Sequence, residues 1–95
     1  MNWQKGIAFI HGMNMFSSNR INKEEMFGLC KKIENKDINI LRIIKTDNII
    51  FKKKNIHYAT VGGLIEKILS DYFNKKMVVT TRSLATIKVI LRNEE

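Results

Sequence analysis

The chain has 95 residues and a mass of 11.1 kDa, enough for one small domain and too short for two that fold independently. Apolar residues make up 44% and charged ones 27%, ordinary globular usage that excludes a disordered tail, and no apolar run approaches the ~20 residues of a membrane-spanning helix. Lysine and arginine number 17 against 9 acids, a net charge of +8, and the single cysteine, Cys30, rules out an internal disulfide and any multi-cysteine zinc site.

Lys5–His11 is a short apolar run without helical spacing, a strand by length and by its Ile and Phe content. The residues before it hold no small-residue cleavage site, so the expectation is a cytoplasmic protein. Asn14 to Asn19 reads as loop. A helix is expected from Asn22, which can cap it, with Glu25 three positions on completing a capping box. Met26, Leu29, Cys30 and Ile33 fall at i, i+3, i+4 and i+7 and form one apolar stripe, and Asn35-Lys36-Asp37 ends the helix.

Ile38–Lys45 and Asn48–Lys53 are β-branched and strand-like. Thr46-Asp47 between them is hairpin spacing, with Asp47 tolerant of the positive φ that a two-residue turn asks for. A second helix spans about Ala59–Asn74, its stripe running from Val61 through Leu64, Ile65, Ile68 and Leu69 to Tyr72, and Gly62-Gly63 weakens its first turn. Met77–Thr81 is a last strand. Ser83 then caps a final helix with Leu84, Ile87 and Leu91 on one face.

Strand, helix, hairpin, helix, strand is the split βαβ order of an α+β, ferredoxin-like fold. Right-handed crossovers place both helices on one face of a four-stranded antiparallel sheet in the order 4-1-3-2, with the C-terminal helix added. The reading is of one domain over residues 1–95, packed around Phe9, Met26, Leu29, Ile33, Leu64, Ile68 and Leu69.

The stretch Phe9-Ile10-His11-Gly12-Met13-Asn14-Met15-Phe16-Ser17-Ser18-Asn19 resembles the opening motif of the bacterial domain-of-unknown-function 1697 family, Leu-Leu-Arg-Gly-Ile-Asn-Val-Gly-Gly-Lys-Asn. Ile43-Ile44-Lys45-Thr46-Asp47-Asn48-Ile49-Ile50-Phe51 is similar to that family's Tyr-Ile-Gln-Ser-Gly-Asn-Val-Val-Phe, and Thr80-Thr81-Arg82-Ser83-Leu84 to its Val-Arg-Thr stretch before a helix. The family's Arg stands here as His11, its Gly-Gly-Lys as Phe16-Ser17-Ser18 and its Gln-Ser-Gly as Lys45-Thr46-Asp47, while Gly12, Asn14, Asn19 and Asn48 are kept. Typical members continue into a second α+β region, so the chain is expected to be the N-terminal part of a longer protein or a short, divergent relative. The resemblance implies no particular activity or cofactor.

The strand pairing brings the end of the first strand beside the hairpin, which makes a ligand-binding cluster of His11, Gly12, Asn14, Asn19, Lys45, Thr46, Asp47 and Asn48 the best site candidate. Asn and Asp also form tight turns for their own backbone, and that reading leads slightly for Asp47. Asp47 with His11 is the one pair with acid–base potential. No catalytic set emerges, two histidines far apart propose no metal, and no cofactor is expected. Cys30 reads as a buried, inert thiol. Glu24 and Glu25 at the first helix start repel any anion there.

The chain has 13 Lys against 4 Arg, with 15 Ile, 10 Asn and no Pro. That joint excess is the drift of an AT-rich genome, and with the lysines scattered it favours a solvated surface over a nucleic-acid interface. The paired aromatics of an RNA-binding sheet are also missing. Both faces of the sheet look apolar, against the alternation of an isolated sheet, so a cover is expected: the final helix, a second copy in a homodimer, or a further domain. The leading expectation is a non-enzymatic interaction module, ahead of a small-ligand binder or enzyme and a weak nucleic-acid binder.

Overall fold

The computed structural model describes residues 2–11 and 21–85. Within them the elements are β1 (Gln4–His11), α1 (Lys23–Cys30), β2 (Ile38–Ile44), β3 (Asn48–Lys53), α2 (Tyr58–Phe73) and β4 (Val78–Ser83). The four strands form one sheet in the order β2-β3-β1-β4, and all three neighbouring pairs are antiparallel. This is an α+β fold, arranged in general terms as a ferredoxin-like domain. Leu84 and Ala85 are helical directly after β4; Ile87 and Leu91 of the expected final helix lie outside the described residues.

Local chemistry sets the start of α1. Asn22 accepts the Glu25 N–H on its side-chain oxygen at 2.7 Å, and the Asn22 N–H donates to Glu25 Oε1 at 3.2 Å, so two N–H groups that the helix leaves unpaired are satisfied reciprocally. The helix closes at Cys30, three residues before the end of its apolar stripe, and tightens into a single 3-10 turn, Lys31–Ile33, a common ending. Met26, Leu29 and Cys30 are buried, while Ile33 packs against the core only in part.

The hairpin differs from its expected form. Ile44 pairs with Asn48, so the loop holds three residues, Lys45 to Asp47, and the left-handed φ falls on Lys45 (58°) and Thr46 (69°) rather than on Asp47. Asp47 is drawn into the sheet instead, where its carbonyl accepts the Ile10 N–H at 2.8 Å. A bulge between Ile40 and Arg42 shifts the β2–β3 register. It places Ile40 and Ile43 together against the core and turns Ile44 to the other side.

The core lies between the helices and one face of the sheet. Ala8, Ile10, Ile38, Ile40, Ile49, Phe51 and Val79 meet Met26, Leu29, Val61, Ile65 and Leu69 there. Each fully buried large side chain contributes about 1.5–3 kcal/mol. Two expected core residues are elsewhere. Phe9 is opposite Asn48 and Thr80, on the face turned from the helices, because strand residues alternate and Ala8 and Ile10 take the core side. Leu64 is 37% exposed, because α2 rests on Gly62, where an added Cβ would lie 3.1 Å from Thr81 Cγ2. That close approach centres the buried stripe on Val61, Gly62, Ile65 and Leu69 and turns Leu64 away.

The same geometry fixes the ends of the layer. Gly6 sits under Phe51 and Tyr58, whose rings would be 2.7 and 2.8 Å from a Cβ there. On the outer strands, Glu34 Oε2 accepts the Ile40 N–H of β2 at 2.8 Å, and Glu66 Oε2 accepts the Val79 N–H of β4 at 2.9 Å.

Candidate functional site

The end of β1 and the β2–β3 loop do meet at one end of the sheet, through the Ile10–Asp47 hydrogen bond. Of the eight expected site residues, Gly12, Asn14 and Asn19 lie outside the described residues. His11 is exposed, and its Nε2 lies 2.9 Å from Thr80 Oγ1. Thr80, a β4 residue that motif reading passed over as a site member, is thus the partner His11 has, in place of Asp47. Asn48 is half-buried and opposite Phe9 and Ile44; Lys45 is exposed and Thr46 half-buried. Asp47 Oδ1 is buried and makes no hydrogen bond, an acceptor in a position where acceptors are nearly always satisfied.

A second feature comes from the register. The four strands hold five cationic residues and no Asp or Glu. Lys5 is directly opposite Lys52, and one row across the sheet reads Arg42–Ile50–Ile7–Arg82. Directly paired residues share a face, so Lys5, Arg42, Lys52 and Arg82 stand together on the face turned from the helices. Ile7 and Ile50 between the arginines are only 7% and 9% exposed, although they lie outside the core cluster. The sequence scatters these cations; pairing gathers them.

The fifth cation is on the helix side. Lys53 is 5% exposed, its Nζ donates to Gln4 Oε1 at 2.6 Å and lies 4.2 Å from the centre of the Tyr58 ring. At the same end of the sheet, the ammonium groups of Lys52 and Lys54 lie 4.8 and 4.6 Å from the centre of the Trp3 ring.

Cys30 is buried, its Sγ 3.8 Å from Met26 Sδ. Burial pushes the thiol up to about 12, so it carries no thiolate to attack with near neutrality. Among the described residues no group of three or more His, Cys, Asp or Glu is placed to hold a metal ion, and no helix is long and apolar enough to cross a membrane.

Fold and surface together define a small α+β protein with a polar cluster at one strand end and a cationic sheet face. The chain matches the model of the family described as Protein of unknown function (DUF1697) over residues 3–95, and it belongs to that family. No curated protein and no solved structure matches it significantly.

Proposed function

We propose that this chain is a non-enzymatic interaction module whose recognition surface is the set of cations on the sheet face turned from the helices, and that its partner is anionic. The observation that carries the reading is the gathering of Lys5, Arg42, Lys52 and Arg82 on one face of strands that contain no acid. Like charges held in neighbouring positions cost stability, and an anionic partner turns that cost into affinity. A homodimer through the same face is the competing occupant, but a two-fold copy would set these four cations against their own equivalents. The proposal takes residues 1–95 as one ferredoxin-like domain with an added C-terminal helix, in the cytoplasm, where a lone cysteine stays reduced.

The test is a titration with heparin at several salt concentrations. Binding that weakens steeply with salt, and that the double variant Arg42→Glu/Arg82→Glu removes while its circular dichroism is unchanged, supports the reading. No binding at low ionic strength, or binding indifferent to the double variant, refutes it. Sedimentation equilibrium adds the other arm: a stable dimer whose dissociation follows the same variant would assign the face to self-association.

The polar strand end supports a second reading, a small-ligand site around His11, Asp47 and Asn48. Its support is the unpartnered, buried Asp47 Oδ1, which calls for a ligand that donates a hydrogen bond. Chemical-shift mapping against a panel of small amines and amides checks it: shifts confined to His11, Asp47, Asn48 and Thr80 support the site, and no response from them removes it.

A further inference from the structure

Resting on the reading of the sheet face as an anion-recognising surface, we propose that its Trp3 end binds single-stranded nucleic acid, a base stacking on the indole and the flanking phosphates meeting Lys5, Lys52 and Lys54. Trp3 is 39% exposed, a large ring left partly in water beside the chain's densest run of lysines, Lys52 to Lys54. Two ammonium groups lie within 5 Å of its centroid, and Lys5 is paired across the strands with one of those lysines. Among the described residues none of these three lysines has a carboxylate partner; the ion pair present joins Lys31 and Glu34. Asp37 is close by, but its carbonyl accepts the Lys54 N–H and its Oδ1 accepts from Asn55 Nδ2.

Three considerations select this occupant. Every base offers a π face, so an exposed aromatic ring flanked by cations binds single strands with little sequence preference. A duplex keeps its bases stacked on one another and leaves nothing for the indole to cover. An acidic peptide satisfies the lysines but has no flat partner for the ring. Exposed cation–π contacts are weak, so the Lys52 and Lys54 ammonium groups can leave the ring for phosphate when a base arrives. Lys53, next in the chain to both lysines, is buried and fixed by Gln4 and Tyr58, so the strand that carries them is anchored.

Trp3 is the only tryptophan in the chain, so its intrinsic fluorescence reports the contact directly. The whole chain is titrated with a short oligo(U), with a duplex of equal length and with heparin. The expected result is quenching by oligo(U) and an affinity well above that for the duplex. Read by fluorescence anisotropy of a dye-labelled oligo(U), which needs no tryptophan, Trp3→Ala is expected to weaken binding about 10-fold or more, with Trp3→Phe recovering much of the loss. Lys5→Ala and Lys52→Ala are each expected to make the logarithmic salt slope about 0.7 shallower. Heparin binding with no oligo(U) quenching, or equal affinity for duplex and single strand, overturns this inference and leaves the anion-recognising face standing. Failure of all three probes to bind overturns both.

Discussion

Lys5 and Lys52 face each other across neighbouring strands, in the position that a stable sheet usually gives to opposite charges or to two apolar groups. The pair is a cost written into the fold. Replacing one member with a carboxylate, Lys5→Glu, is expected to raise the unfolding free energy by about 0.5–1 kcal/mol at low ionic strength, with the gain shrinking as salt screens both arrangements. Urea denaturation at two salt concentrations checks this, and an unchanged or lowered midpoint at low salt contradicts it. The same variant should lose affinity for an anionic partner, the trade expected where a surface is kept for binding rather than for stability.

Two adjacent glycines in α2 separate packing from propensity. Gly63 has open space around an added Cβ, whereas at Gly62 the new atom meets Thr81 Cγ2 at 3.1 Å. Gly63→Ala is expected to stabilise the chain by about 0.5–1 kcal/mol. Gly62→Ala gains the same propensity but must push α2 off β4, and is expected to be neutral or destabilising. Thermal unfolding of the two variants side by side decides it; equal gains would mean that the helix does not rest on Gly62.

Thr46 is β-branched and held at φ 69°, where its Cβ crowds the backbone at a cost of about 1–2 kcal/mol. Thr46→Gly removes the strain and returns part of the gain to the freer unfolded chain. The expected net is about 0.5–1 kcal/mol, a rise in Tm of roughly 2–8 °C for a domain of this size. A lower Tm would show that the Thr46 side chain contributes more than its backbone costs.

The Ile40 N–H bonded to Glu34, with Lys31 beside it, lowers the Glu34 carboxyl below its ordinary 4.5. A lowered folded-state value means a contribution that is complete above the unfolded value and lost as pH falls through the folded one. Glu34→Gln should therefore be less stable than the parent at neutral pH, and the two should converge as the pH falls below the ordinary 4.5. Stability curves that stay parallel through the acid range would contradict the assignment.

What could be read beforehand was local. The Asn22–Glu25 capping box and the succession of strands and helices depend on residues close together in the chain, and the described residues have both. The misplaced features depend on how distant segments settle. The bulge at Leu41 moves Ile43 and Ile44 to sides that strict alternation denies them. Gly62 looked like a weak helix residue because its neighbour Thr81 belongs to another element. The cationic face was invisible for the same reason: Lys5, Arg42, Lys52 and Arg82 look scattered until register aligns them. His11 ends β1, and its partner Thr80 comes from β4, on the opposite side of β1 from the hairpin that carries Asp47.

The two glutamates that accept the Ile40 and Val79 N–H groups decide how copies of this chain can meet. An outer strand with free N–H groups invites a neighbour's strand to continue the sheet, and the hazard is greatest in Ile- and Val-rich segments without proline, which describes this chain. With a carboxylate from the 3-10 turn region closing one margin and one from α2 closing the other, sideways growth into a fibre meets an occupied site at each edge. A chain stripped of both glutamates would present two open margins for its own copies to extend.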